Sequence, residues 1–374
     1  MKILLQVSRI IVGVLFIFSG LIKANDPAGL SYKMQEFFEV WGLHGFNDYT
    51  LTFSILMIAF EIIAGVAVLV GWEFSLFSWL LLLLIIFFTF LTGYALLSGN
   101  IRECGCFGDC IKLTAGESFV KDLVLLALIL VLFAKRKTIK PLFANRISML
   151  FLLASTIFAF GLQFYVLTYL PVVDCLPYKV GNNIPEKMKI PAGSLPDSTV
   201  INYVYKKGGA DVEFDADHFP ADFNDSLYQF VKRYDKVVRQ GNAQPPIKDF
   251  VIIAPSGTDT TMAILQQSGE QFIVFSKILP KGAKDWTWSD DMKKIHAAAK
   301  EKKIPLIWVS ADAENTAKGL VVLNMSDIPV MRGDLVAIKT AARVDPTIYL
   351  IKDGTIQGKW SYAGFNKVVP FISR

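Results

Sequence analysis

Three cysteines fall within seven residues in the segment CGCFGDC, as Cys104, Cys106 and Cys110, and a fourth, Cys175, lies far downstream. Such close thiols need tight turns, which Gly105 and Gly108 allow. Three chemistries fit. The loop could be a redox-active disulfide with a third, resolving thiol, and a following helix N-terminus with Lys121, Lys112 and Arg102 nearby would favour the reactive thiolate, against Glu103 and Asp109. It could instead be a structural staple, up to two disulfides including Cys175; four cysteines permit three connectivities. Or Cys104, Cys106, Cys110 and His44 could hold zinc, although the spacing is not a usual zinc pattern.

A second set of reactive types lies inside apolar sequence. Arg9 and Glu61 interrupt two long hydrophobic runs, and ionised groups there are costly unless paired or functional. At about 1.5 Å per helical residue their depths differ by roughly 7 Å, which an arginine can span. The bland expectation is an Arg9–Glu61 ion pair locking two helices. The functional one is a proton or quinone-headgroup site, with Arg9, Glu61 and Lys23 as cofactor-binding candidates. Ser19, Gly20, Gly65 and Gly71 supply small or polar contact points between helices.

The elements that must position these groups are membrane spans. The chain has 374 residues, 53% hydrophobic and only 19% charged, with mean hydropathy +0.44. A hydrocarbon core of about 30 Å takes about 20 apolar helical residues. Five segments qualify: 4–23, 51–71, 74–97, 118–134 and 147–170. The first is not read as a cleaved signal peptide, since Arg9 breaks it and no small-x-small site precedes Asn25. The connection KRKTIKPLFANR carries five basic residues, which marks it as cytoplasmic. The N-terminus is then cytoplasmic, and the 98–117 loop and everything after the fifth helix lie outside. All four cysteines share that side, an oxidising space where disulfides persist. The net charge of +5 is explained by that basic loop and gives no reason to expect nucleic acid.

The pattern Arg9, Gly13, Phe16, Ser19, Gly20, Lys23 resembles the first helix of the DoxX family, and the Glu61-x-x-x-Gly65 helix with the CGCFG loop resembles its relative MauE, the methylamine utilisation family. The resemblance covers roughly the first 140 residues. It implies a four-helix, redox-associated membrane module: DoxX members are linked to thiosulfate:quinone oxidoreduction, and MauE to maturation of a disulfide-rich periplasmic dehydrogenase. The longer form, with a fifth helix and an exported domain, resembles proteins common in Bacteroidetes.

After residue 178 the sequence turns polar. VINYVYKKGGADVEF reads as a hairpin turning at Gly208-Gly209, and Lys352-Asp353-Gly354 as another. A helix is expected over 289–303 with Ser289 as its cap. The order of elements over 247–374 resembles redoxin-type thioredoxin-like domains, in which the Asp345-Pro346-Thr347 segment would hold a cis proline beside the active site. The active CxxC of such domains would follow QFIVFSKIL, yet no cysteine occurs after Cys175. The domain therefore reads as a partner-binding scaffold. Trp286, Trp288 and His296 are candidates for a binding surface there, or for core.

The sequence thus describes a multi-pass α-helical membrane bundle, a DoxX/MauE-like module (1–140) with a fifth helix and connection (141–176), then a β-rich linker (177–246) and an extracytoplasmic α/β thioredoxin-like domain (247–374). The expected function is thiol/disulfide electron transfer at the outer face of the inner membrane by Cys104, Cys106 and Cys110, coupled to quinone, with the lipid bilayer and exported thiol proteins as partners. A non-catalytic assembly scaffold with a fixed disulfide loop is the alternative.

Overall fold

A long apolar run has no water to satisfy its backbone in a bilayer, so it satisfies it internally as helix. The computed structural model describes residues 2–99, 101, 105–196, 198–224, 226–239, 241, 243–277 and 286–373. Its first part is helical: α1 (Lys2–Ala24), α2 (Pro27–Val40), α3 (Thr50–Val70), α4 (Phe74–Ser98), α5 (Ala115–Ala134) and α6 (Asn145–Tyr169). Among the described residues, four helices are long and apolar enough to cross a membrane, over Ile3–Ala24, His44–Val70, Phe74–Ser98 and Asn145–Tyr169. The fourth expected span, 118–134, differs in composition. It forms α5, opened by a Thr114–Glu117 capping box, but Glu117, Lys121 and Asp122 crowd its first turns and leave an apolar stretch only from Leu123 onward. The sequence reading also missed α2, whose start is fixed by Asp26 accepting from the Gly29 N–H and by Pro27 in the first turn.

Packing sets which faces meet. On α1 and α3, Gly13 and Gly65 bring two backbones together: a Cβ at Gly65 would lie 2.8 Å from the Gly13 carbonyl oxygen. Small residues at such a crossing let helices pack where lipid gives no hydrophobic driving force. Phe16, Leu81, Ile85, Leu125 and Ile129 fill the core between α1, α4 and α5. By contrast Leu150, Ile157 and Phe164, seven residues apart on α6, are 64%, 65% and 74% exposed, an apolar stripe suited to hydrocarbon. This is a membrane protein.

The remainder is built on strands. Beyond the short helix α7 (Ile184–Lys187), the unit Pro185–Lys248 holds a three-stranded antiparallel sheet in the order β2-β1-β3, from β1 (Ser198–Lys207), β2 (Ala210–Asp215) and β3 (Tyr228–Arg239). Gly208 and Gly209, both at positive φ, make the β1–β2 turn. Tyr205, Phe214, Phe219, Phe223 and Tyr228 pack into an aromatic cluster on it.

The second sheet has six strands in the order β4-β7-β6-β5-β8-β9: β4 (Ile252–Ile253), β5 (Glu270–Ser276), β6 (Leu306–Ser310), β7 (Val330–Gly333), β8 (Thr347–Lys352) and β9 (Thr355–Ser361). Strands β5, β6 and β7 run parallel; β8 pairs antiparallel with β5, and β9 antiparallel with β8. Phe272, Ile273, Val274 and Phe275 are fully buried, as a continuous apolar run predicts for a central strand covered on both faces. Helix α8 (Thr261–Leu265) precedes β5, and α9 (Ser289–Glu301), α10 (Ala313–Val322), α11 (Leu335–Ala341) and the C-terminal α12 (Val368–Ile372) complete the α/β arrangement. Ser289 is the first residue of α9 rather than its cap, which is Trp288. Trp286 and Trp288 stack at 5.0 Å against Trp308 and Phe365, and His296 pairs with Asp327, so these candidates are core and helix-surface residues. The Asp345–Pro346 bond is cis. Residues 1–184 and 249–374 together form one compact unit, with the α/β part packed against the helical part.

Candidate functional site

The cysteine loop lies at the end of the bundle where α1 ends and α5 begins. Gly105 and Gly108 take φ of +69° and +56°, so the loop doubles back as the spacing requires. Cys104 lies outside the described residues. Cys110 is disulfide-bonded to Cys175, with Cα atoms 4.9 Å apart. That bond joins the loop before α5 to the segment after α6 and places both cysteines at one end of the bundle. Cys110 is therefore not a free member of a redox trio, nor a zinc ligand. Among the described residues the free thiol is Cys106, and no group of three or more His, Cys, Asp or Glu converges to hold a metal.

Cys106 stands on the wall of a cavity of about 340 Å³ enclosed by α1 to α5. The wall is largely apolar and aromatic, and five charged residues line it: Lys23, Lys33, Glu61, Lys121 and Asp122. Lys23 Nζ donates to both Glu61 oxygens, at 2.5 and 2.7 Å, and the two side chains are 4% and 1% exposed. The Ser19 hydroxyl lies 3.1 Å from Glu61 Oε2 and 3.1 Å from the Cys106 carbonyl oxygen; with one proton, it donates to one of them at a time. Lys121 pairs with the fully buried Asp122, which also accepts from the Thr92 hydroxyl at 3.1 Å. Burial pushes the Cys106 thiol up from its ordinary value; Lys121 pulls it back, Asp122 adds to the rise, and Lys23 and Ser118 lower it. At neutral pH the thiol is protonated.

The expected Arg9–Glu61 pair does not form. Arg9 Nε donates to the Val68 carbonyl at 2.7 Å and Nη2 to that of Leu69 at 2.6 Å, at the C-terminal end of α3. Helix ends leave carbonyls without intrahelical partners, and a guanidinium with five donors meets them better than a single distant carboxylate. Arg9 therefore lies at the far end of α3, not on the cavity wall, while Lys23 and Glu61 share it.

A further cluster lies where the α/β part meets the loop. Arg343 Nε donates to Asp26 at 2.8 Å and Nη2 to Asp109 of the cysteine loop at 2.7 Å, with its side chain 6% exposed. Burial opposes its charge, but Asp26 and Asp109 hold the guanidinium above its ordinary pKa. Arg343, Lys339 and Lys277 lie 5.3, 5.1 and 5.7 Å from the centre of the Tyr32 ring on α2. Lys359 on β9 pairs with Asp174, next to Cys175, at 2.9 Å. The only local sequence signal for this cluster is the position of Arg343 two residues before Asp345-Pro346; its partners are hundreds of residues away.

Residues 1–135 match the family described as methylamine utilisation protein MauE, and residues 199–240 match a domain of unknown function, DUF8463. Protein TlpB of Flavobacterium psychrophilum is 29% identical over 129 residues, which covers 33% of this chain and 35% of that protein. The chain thus spans about a third of the length of the curated relative it matches. No solved structure matches. The helices that enclose the cavity and the loop with Cys106 all lie within the stretch, residues 1–135, that is similar to the MauE family.

Proposed function

We propose that this protein transfers electrons between thiols and disulfides at the outer face of the inner membrane, through the CGCFGDC loop, and passes them to a quinone-type carrier in the bilayer. The observation that carries this reading is the position of Cys106: a free thiol on the wall of an apolar cavity, beside the buried Lys23–Glu61 pair and the half-buried Lys121–Asp122 pair. Cys104 is its resolving partner two residues away in the chain. The Cys110–Cys175 disulfide holds the loop in place while Cys106 exchanges. The strand order of residues 247–374 supports a thioredoxin-like reading, and the Arg343–Asp109 contact supports its role as a module that sits over the loop and presents exported thiol proteins to it.

The Cys110–Cys175 bond also favours a second reading, a non-catalytic scaffold whose loop is fixed by that staple. Alkylation and mass shift in native membranes over a range of thiol poise tests the two. Cys106 and Cys104 are expected to move between protected and alkylatable states with the poise, and Cys106→Ser to abolish the transition. Cysteines that stay in one state throughout, with a phenotype-free Cys106→Ser chain, would leave the scaffold.

A further inference from the structure

Each cysteine of the Cys110–Cys175 bond directly follows an aspartate, and each aspartate is taken by a cation of the α/β part. Asp109 accepts from Arg343, just before β8, and Asp174 accepts from Lys359 on β9. The two cations are 6% and 3% exposed, so each depends on its carboxylate rather than on water. The bond therefore does more than join two ends of the bundle. It holds two carboxylates close together, where two buried cations of the α/β part meet them.

The two anchors differ in what else supports them. Arg343 keeps Asp26 and the Lys339 carbonyl if Asp109 leaves, and the Tyr32 ring lies beside it. Lys277 and Lys339, which also face Tyr32, add positive charge on that side, and Glu39 on α2 offsets part of it. Among the described residues Lys359 pairs with Asp174 alone, with the Tyr349 ring 5.4 Å away. If Asp174 departs, Lys359 must move out to water. The segment that carries Asp174 is otherwise held lightly, by two exposed bonds between Asn25 and Val173. Cys110 is exposed and Cys175 half-buried, so a sulfur of the bond is reached without opening the bundle. Exposed disulfides are the labile ones, whereas shielded ones act as inert staples.

We propose that Cys110–Cys175 is a redox latch for the α/β part: a dithiol of an exported protein opens the bond, and the α/β part then leaves the cysteine loop. The attacking thiolate bonds to the exposed Cys110 sulfur. Cys175 leaves with the electron pair of the broken S–S bond and takes up a proton. The partner's second thiol resolves the mixed disulfide. Two electrons and two protons have then passed from the dithiol to Cys110 and Cys175, and the partner holds a disulfide. Once parted, Asp109 and Asp174 must be ordered separately, and they no longer meet Arg343 and Lys359 as a pair. The step uses other sulfurs than the Cys106 reaction above and stands whether or not Cys106 exchanges.

The test uses the full chain with Cys104→Ser and Cys106→Ser, in lipid nanodiscs, and dithiothreitol at graded reduced-to-oxidised ratios as the dithiol. Maleimide mass shift reads the bond, and amide hydrogen exchange reads the docking. Cys110 and Cys175 are expected to become alkylatable together in the folded protein. Exchange over 335–346 is expected to rise about tenfold in the same step, with α1 and α3 unchanged. Asp174→Asn is expected to raise that exchange roughly tenfold with the bond intact, as loss of one charge-assisted hydrogen bond does, and to leave less for reduction to add. A bond that stays closed until the bundle unfolds overturns the latch, as does reduction that leaves exchange over 335–346 unchanged. Loss of protection in α1 and α3 together with 335–346 makes the bond a staple of the whole bundle and overturns the latch equally. Since the tested chain lacks the Cys106 thiol, none of these results decides whether Cys106 exchanges.

Discussion

Two buried charge clusters sit in the same compact unit, and they are built to opposite ends. Lys23 and Glu61 face a cavity of about 340 Å³, so a third party can approach them. Arg343 is paired on all three of its nitrogens: Asp26, Asp109 and the Lys339 carbonyl accept from them, the Tyr32 ring lies 5.3 Å away, and its side chain is 6% exposed. Taking charges out of water is costly in both places, and each cluster is offset by direct pairing. Where the pairing is complete and enclosed, the product is architecture, here the docking of the α/β part on the cysteine loop. Where it is complete but borders open space, the pair is available for a ligand.

The comparison can be broken by unpairing each cluster. Lys23→Met strands Glu61 at 1% exposure and is expected to cost about 3–5 kcal/mol, read as thermal unfolding in detergent, while Lys23→Met with Glu61→Leu recovers most of it. Equal loss in the single and double variants would mean that the charge itself is not what is costly there. Cys175→Ser removes the tether beside the Lys359–Asp174 pair and is expected to cost about 2–4 kcal/mol. Arg343→Met is expected to cost less than Lys23→Met, about 2 kcal/mol, because Asp109 is 28% exposed and water takes over part of its solvation. It should also raise protease sensitivity where the α/β part meets the loop; unchanged sensitivity would remove the docking role. The smallest effect concerns the cavity side alone. Because burial raises the Cys106 pKa, the thiolate fraction is low at neutral pH and grows with pH, so alkylation by a membrane-permeant maleimide is expected to keep rising beyond the ordinary thiol range. A rate that levels off below that range would mean that Lys121 and Lys23 outweigh burial.

Local features were legible in the sequence and long-range pairings were not. Gly208-Gly209 and Asp353-Gly354 announce their hairpins because positive φ is needed within two residues of the strands they join. The apolar runs announce α1, α3, α4 and α6 by length alone. Helix α5 was legible as an apolar helix from LVLLALILVLF, but the composition of its first turns, Glu117, Lys121 and Asp122, sets it apart from the other spans, and two of these line the cavity. Arg9 misled because depth in a bilayer was compared only with another charge, whereas the carbonyls ending α3 were closer partners. Asp26, visible only as the cap of α2, meets Arg343 317 positions later, and nothing local specifies that meeting.

The disulfide between Cys110 and Cys175 also makes a covalent ring of the chain between them, with α5, the basic connection 135–146 and α6 inside it. One proteolytic nick in that connection leaves a single molecule, whose two pieces travel together on a gel until a reductant separates them. A protein cut there keeps its bundle threaded, and the state of one sulfur–sulfur bond, not of the backbone, decides whether it counts as whole.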